Sequence, residues 1–138
     1  MRKLRLILVD DHEAFLSAAK RGLRNEFAWI EIVGTAPNGV QAIALCEKER
    51  PDAVLMDMAM PEMGGLQATR IIKTQDEPPF IIIASHFDDL DHREHASRAG
   101  ADAFVSKLSY VGDALPHLKR LYARIIDGDQ NGGRSDQE

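Results

Sequence analysis

Ala53-Val54-Leu55-Met56-Asp57-Met58-Ala59-Met60-Pro61 decides how the chain folds. Four apolar residues run unbroken into an aspartate, and a proline follows four positions later. A short apolar run bounded by turn signals reads as a strand buried on both faces of a parallel sheet. Ligands of open α/β sheets sit outside the carboxyl ends of the strands. Asp57 is therefore expected at a sheet rim, facing a crevice.

The same pattern recurs on both sides of this stretch. Leu4, Leu6, Ile7, Leu8 and Val9 read as a first strand ending at Asp10-Asp11. Ile30, Ile32 and Val33 form a second, interrupted by Glu31 as an edge strand tolerates. Phe80 to Ala84 is the fourth, ending at Ser85, and Ala101 to Ser106 the fifth, followed by Lys107.

Helical signals fill the gaps. His12 to Arg24 carries Phe15, Ala18, Ala19, Gly22 and Leu23 at helical spacing. Asn38 is an N-cap with Gln41 three residues on, and Pro51 closes the helix it starts. Leu66, Ile71 and Ile72 mark a third helix. Asp88 to Ala99 is polar, weakly anchored, and stopped by Gly100. A last helix is expected to start with Asp113 as N-cap, with Pro116 in its first turn and an apolar face from Leu115 to Ile125. Residues 127–138 lack apolar side chains and are expected to be a disordered polar tail or the start of a linker. Five strand–helix units in strict alternation imply one domain over residues 1–126, a doubly wound α/β fold whose parallel sheet has helices on both faces.

Composition fits that size. The 138 residues are 44% hydrophobic and 28% charged, an ordinary globular balance. A net charge of −5 argues against direct nucleic-acid contact, which usually needs a basic stripe. The single cysteine, Cys46, excludes an internal disulfide and suits a reducing cytoplasm. The run Leu6 to Val9 is too short for a membrane span, so a cytoplasmic location is expected.

A parallel sheet brings Asp10, Asp11, Asp57, Ser85 and Lys107 to one edge. Three clustered carboxylates repel unless a cation intervenes, and an all-oxygen set suits Mg²⁺. Three carboxylates, one lysine and one Mg²⁺ sum to zero charge. An added phosphoryl group would recruit every donor at the rim, including the Lys107 ammonium and the Ser85 hydroxyl.

Asp10-Asp11, Asp57-x-x-Met60-Pro61-x-Met63-x-Gly65, Ser85, Gly100-Ala101 and Lys107 resemble the signature of the receiver domain of two-component response regulators. Asp10-Asp11-His12 and Asn38-Gly39 are most similar to receivers that precede LuxR-type helix-turn-helix domains. The resemblance implies a flavodoxin-like sheet of order 2-1-3-4-5 and five helices. It implies that Asp57 accepts a phosphoryl group from a histidine kinase or histidine phosphotransfer protein. It also implies Mg²⁺ on Asp11, Asp57 and the Ala59 carbonyl, with Asp10 acting through water. Lys107, Ser85 and the amides of Ala59 and His86 would contact the phosphoryl group, and Ser85 and Phe104 would switch the face formed by helix four, strand five and helix five. Such a domain is no enzyme beyond its own phosphorylation and dephosphorylation. A homodimer through the last helices is compatible with the sequence.

Three departures stand out: Leu108 where many receivers have a cis proline, bulky His86 and Phe87 after the switch hydroxyl, and Phe104 where tyrosine is frequent. Without proline a cis bond costs several kcal/mol, so a trans bond is expected after Lys107. Other readings fit less well. A haloacid-dehalogenase-like phosphatase wants an acid two residues after its nucleophile, where this chain has Ala59. A nucleotide-binding domain wants a glycine-rich loop after strand one, where Asp10-Asp11-His12-Glu13 would repel a diphosphate. A phosphate-independent receiver, acting as an interaction module, would have no need of the five intact site positions. His92 and His95 read as a solvated face, Cys46 as core, and Met56, Met58, Met60 and Met63 as packing around the acceptor loop.

Overall fold

The computed structural model describes residues 2–135. Its strands are β1 (Leu4–Val9), β2 (Ile30–Ala36), β3 (Ala53–Asp57), β4 (Phe80–Ser85) and β5 (Ala103–Ser106). Its helices are α1 (Glu13–Gly22), α2 (Gly39–Glu49), α3 (Gly65–Ile72), α4 (Leu90–Ala99) and α5 (Tyr110–Ser135). The five strands form one sheet in the order β2-β1-β3-β4-β5, with every pairing parallel. The expected doubly wound architecture is the observed one.

Alternation along the strands builds two cores. Leu6, Leu8, Leu55 and Ile82 face α1 and α5, which supply Ala19, Ala114 and Leu118, together with Leu23 just after α1. Ile7, Val9, Val54, Met56, Ile81 and Ile83 face α2, α3 and α4, which supply Ala42, Cys46, Ala68, Ile72 and Ala96. Both faces of β3 are buried, which is why its sequence is an unbroken apolar run. The Cys46 thiol is packed as core, and burial pushes it up to about 11, so it stays protonated. On the α1 side, Gly22 lets α5 approach: a Cβ there would lie 3.2 Å from Val111.

Punctuation follows local chemistry. The Asn38 side chain accepts the Gln41 N–H at 2.9 Å and starts α2. Gly100 ends α4 at φ 100°, a left-handed turn that favours glycine. α4 begins at Leu90, two residues later than the expected Asp88, because Asp89 caps it by accepting the His92 N–H at 2.9 Å. β5 begins at Ala103 because Asp102 is used otherwise, its carboxylate accepting the Ile81 N–H at 2.8 Å.

The last helix departs most from expectation. A 3₁₀ turn over Lys107–Ser109 runs directly into α5 at Tyr110, so Asp113 lies inside the first turn and is not the N-cap. Its carboxylate accepts the Ser109 hydroxyl. Pro116 consequently falls in the second turn, where the hydrogen bond to Gly112 is missing and that exposed carbonyl is left to solvent. The helix also runs past Ile126 to Ser135, where a disordered tail was expected. Elongating an existing helix costs little per residue, and Arg2 reaches Asp129 at 3.2 Å. Residues 136–138, the end of that expected tail, lie outside the described residues. No cis peptide bond occurs among the described residues, so Lys107–Leu108 is trans as expected.

Candidate functional site

Four of the five expected rim side chains meet. Asp10 and Asp57 leave the ends of β1 and β3 almost fully buried, and Lys107 arrives from the end of β5, also buried. Its Nζ lies 2.5 Å from Asp10 Oδ2 and 3.2 Å from Asp57 Oδ2. The other Asp57 oxygen accepts the Ala59 N–H at 3.4 Å. Asp11 stands beside them: single ligand atoms of Asp10, Asp11, His12 and Asp57 all lie within 4.8 Å of one another.

One ammonium does not neutralise this group. The Asp57 carboxyl is pushed up to about 6, first by burial and then by the charge of Asp10, with Lys107 and the Ala59 N–H opposing. One Asp11 oxygen is buried without a hydrogen-bond donor. It lies 3.2 Å from His12 Nδ1 but without hydrogen-bond geometry. An orphaned carboxylate oxygen facing two further carboxylates is what a hard divalent cation would satisfy. The donor set fits such an ion.

Ser85 reaches the rim without joining the cluster. The sheet register places it one residue beyond the Asp57–Ala84 pair. Its oxygen accepts the Phe87 N–H at 3.0 Å, closing its own turn. Phe104 does not reach the rim. It packs against the core under α4, and the Arg93 guanidinium covers its ring at 4.8 Å. Arg93 is held there by Asp88 at 2.5 Å.

A group of aromatic rings roofs the lysine, and sequence reasoning missed it. Lys107 Nζ sits 4.0 Å from the centroid of the Phe15 ring and 5.7 Å from that of Tyr110. Phe15 meets His12, His86 and Tyr110 edge-on, at 5.7, 5.6 and 6.1 Å between centroids. The buried Tyr110 hydroxyl is unpartnered, and burial together with Asp10 and Asp57 holds its ionisation well above the usual range. His12 and Phe15, three residues apart at the start of α1, share the rim end of one helix face, but spacing alone does not say toward which neighbour that face is turned.

The loop after Asp57 is clamped by glycines. The Gly65 N–H donates to Met58 O at 2.8 Å and the Gly39 N–H to Met63 O at 2.9 Å. A Cβ at Gly65 would overlap the Asp57 carbonyl, and one at Gly39 would lie 2.7 Å from Met63 O. Met58, Met60 and Met63 pack against the α2–α4 core, as read from the sequence.

The response regulator receiver domain model matches residues 6–116. The chain is 37% identical over 107 residues to the uncharacterized transcriptional regulatory protein YhcZ of Bacillus subtilis, spanning 75% of this chain and 48% of that protein. It is 35% identical over 102 residues to the chemotaxis protein CheY of Halobacterium salinarum, spanning 74% of this chain and 82% of that one. A two-component response regulator of the LuxR family from Aurantimonas sp. SI85-9A1 superposes with a TM-score of 0.79 at 29% identity, covering 88% of this chain and 86% of that chain. The chain thus spans about half the length of YhcZ and four-fifths of that CheY. No helix among the described residues is long and apolar enough to cross a membrane.

Proposed function

Because the chain belongs to the response regulator receiver domain family, we propose that Asp57 is its phosphoacceptor in a two-component or phosphorelay system. The observation that carries this is the buried Lys107 ammonium bridging Asp10 and Asp57 beside the orphaned Asp11 oxygen. An Asp57 oxygen attacks the phosphorus of a phosphohistidine on a kinase or phosphotransfer protein. The O–P bond forms as the P–N bond breaks, and the imidazole leaves with that electron pair. Such transfer is catalysed mainly by positioning and charge neutralisation.

Asp11, Asp57 and the Ala59 carbonyl would hold Mg²⁺, with the Asp10 carboxylate beside them adding negative charge. When bound, the ion offsets charge on the phosphoryl oxygens. Lys107 moves from the Asp57 carboxylate to a phosphoryl oxygen. The Ser85 oxygen accepts from Phe87, which leaves its own O–H free to donate, and the Ala59 and His86 amides complete the donor set. Ser85 and Phe104 form the switch, and the Asp88–Arg93 pair over the Phe104 ring holds its resting position. Residues 1–126 act as the receiver unit and the remainder as linker. Transcriptional output would belong to a region beyond the span matched in YhcZ.

Incubation with Mg²⁺ and a small phosphodonor should label Asp57, with a label that is lost in Asp57→Asn. Beryllofluoride should bind only when Mg²⁺ is present. Failure of any acyl phosphate to form with Mg²⁺ would sink the acceptor assignment. The aromatic roof adds a second expectation. Phe15→Leu keeps an apolar side chain at the head of α1 but uncovers Lys107 and the acceptor to water, so the acyl phosphate should decay several-fold faster. An unchanged half-life would mean that the ring shields nothing.

A further inference from the structure

His12 stands in the rim cluster, yet the proposed phosphoryl transfer gives its imidazole no part. Ring Nδ1 lies 3.3 Å from Asp10 Oδ1 and 3.2 Å from Asp11 Oδ1. Single ligand atoms of these three residues and Asp57 fall within 4.8 Å of one another. Among the described residues, no other group of three or more histidine, cysteine or carboxylate side chains is gathered so closely. The approach to Asp11 lacks hydrogen-bond geometry, but its length fits a different relation. Two neighbouring ligands on a metal with bonds of about 2.0–2.2 Å stand roughly 2.8–3.6 Å apart in an octahedral or tetrahedral shell.

The backbone around His12 holds the imidazole at this place. Its N–H donates to Asp10 Oδ1 at 3.0 Å. Its carbonyl accepts the Phe15 and Leu16 N–H groups at 3.0 and 3.2 Å, which seats it at the head of α1. The ring rests edge-on against Phe15. The side chain is 60% exposed, so an ion reaches Nδ1 from solvent without displacing the roof over Lys107. One Asp11 oxygen beside it is buried without a donor, so it too is available to a cation. This mixed donor set divides the divalent ions by chemistry. Carboxylate and carbonyl oxygens suit Mg²⁺, which keeps several of its waters. An imidazole nitrogen suits zinc, nickel, iron and copper.

We propose that His12 Nδ1 is a further metal ligand at this rim, engaged by first-row transition dications such as Zn²⁺ and passed over by Mg²⁺. The proposal rests on reading the rim as a divalent-cation site. With Mg²⁺, the imidazole stays against Asp10 and the ion is held by oxygens alone. With Zn²⁺, Nδ1 joins the Asp11 and Asp57 carboxylates as the nitrogen of a mixed set. His12 is then the residue that sets which class of cation the rim retains. A histidine that merely begins α1 would treat the two ions alike.

The test is calorimetric titration of the full chain with Zn²⁺ and, separately, with Mg²⁺ in phosphate-free buffer at pH 7.5. Zn²⁺ should bind at least tenfold more weakly to His12→Ala. Mg²⁺ affinity of that variant should change less than twofold, which also shows that its rim is intact. His92→Ala/His95→Ala should leave Zn²⁺ binding unchanged, which separates the rim from the two histidines of α4. In the parent chain labelled with ¹⁵N-histidine, Zn²⁺ should move the His12 Nδ1 resonance several-fold further than Mg²⁺ does. Unchanged Zn²⁺ affinity in His12→Ala, an equal loss for both ions, or a His12 Nδ1 resonance that stays in place at saturating Zn²⁺ would each overturn the proposal. Those results alongside normal Mg²⁺ binding leave the rim a cation site, whereas binding of neither ion removes both readings.

Discussion

In metal-free buffer above pH 7, Asp57→Asn should be more stable than the parent chain by about 2–3 kcal/mol, since each pKa unit is worth roughly 1.4 kcal/mol. The folded-state Asp57 carboxyl sits at about 6 against an ordinary value of 3.8, raised chiefly by burial and next by Asp10. Below pH 4 it is protonated in both folded and unfolded chains and carries no penalty. Between pH 4 and 6 the unfolded chain ionises while the folded chain resists, so stability falls as pH rises through that window. Above about pH 6 the whole penalty is present, and an amide of the same shape removes it. Urea midpoints of both chains at pH 4, 6 and 8 check this. The gap should open across the window and then stay level, and Mg²⁺ should narrow it by stabilising the parent. A gap of equal size at pH 4 and pH 8 would show that the carboxylate is not strained.

Gly65→Ala should damage both fold and function, costing about 2–3 kcal/mol as overpacking of a tight site does and abolishing the label on Asp57. The atoms its Cβ would meet are the Asp57 carbonyl and Met58 Cα, which are backbone and cannot rotate away. That backbone is itself fixed, with the Met58 N–H bonded to Ala84 O at 2.9 Å and the Gly65 N–H to Met58 O at 2.8 Å. Any relief therefore displaces Asp57. Gly112→Ala in α5 is the natural comparison, because nothing lies within 4 Å of its added Cβ. There the change should stabilise by roughly 0.5–1 kcal/mol, the usual helix preference for alanine. Chemical denaturation and phosphodonor labelling of the two variants separate a steric effect at the acceptor from loss of a glycine in general. If Gly65→Ala still labels at the parent rate, the clamp does not position Asp57.

The sheet was legible because each strand is a short apolar run that stops at a polar residue. Leu6 to Val9 before Asp10, Ala53 to Met56 before Asp57 and Phe80 to Ala84 before Ser85 all carry that signal. Strand ends of a parallel sheet share an edge, so Asp10, Asp57 and Lys107 followed from topology alone. The roof did not follow, because it depends on how α1 is rotated about its axis. That rotation is set by tertiary contacts such as Gly22 against Val111, which no local pattern reveals. The start of α5 was misread for a different reason. Asp113 has the chemistry of an N-cap, but the Lys107–Ser109 turn already delivers the chain in helical form three residues earlier. The position of Ser85 at the rim followed from the register, whereas the N–H that Phe87 donates to its oxygen depends on the following turn, which has no sequence signal.

The enclosure of Lys107 bears on the timing of solvent loss. An ammonium on a flexible stem ordinarily holds a tight water shell, which must be stripped before it can grip an incoming oxygen. Here the side chain is 1% exposed, already gripped by two carboxylates and lidded by a ring. Its water was shed when the chain folded. In the role proposed for Lys107, engaging a phosphoryl oxygen would be an exchange of one anionic partner for another, with little rearrangement of solvent at the moment of transfer.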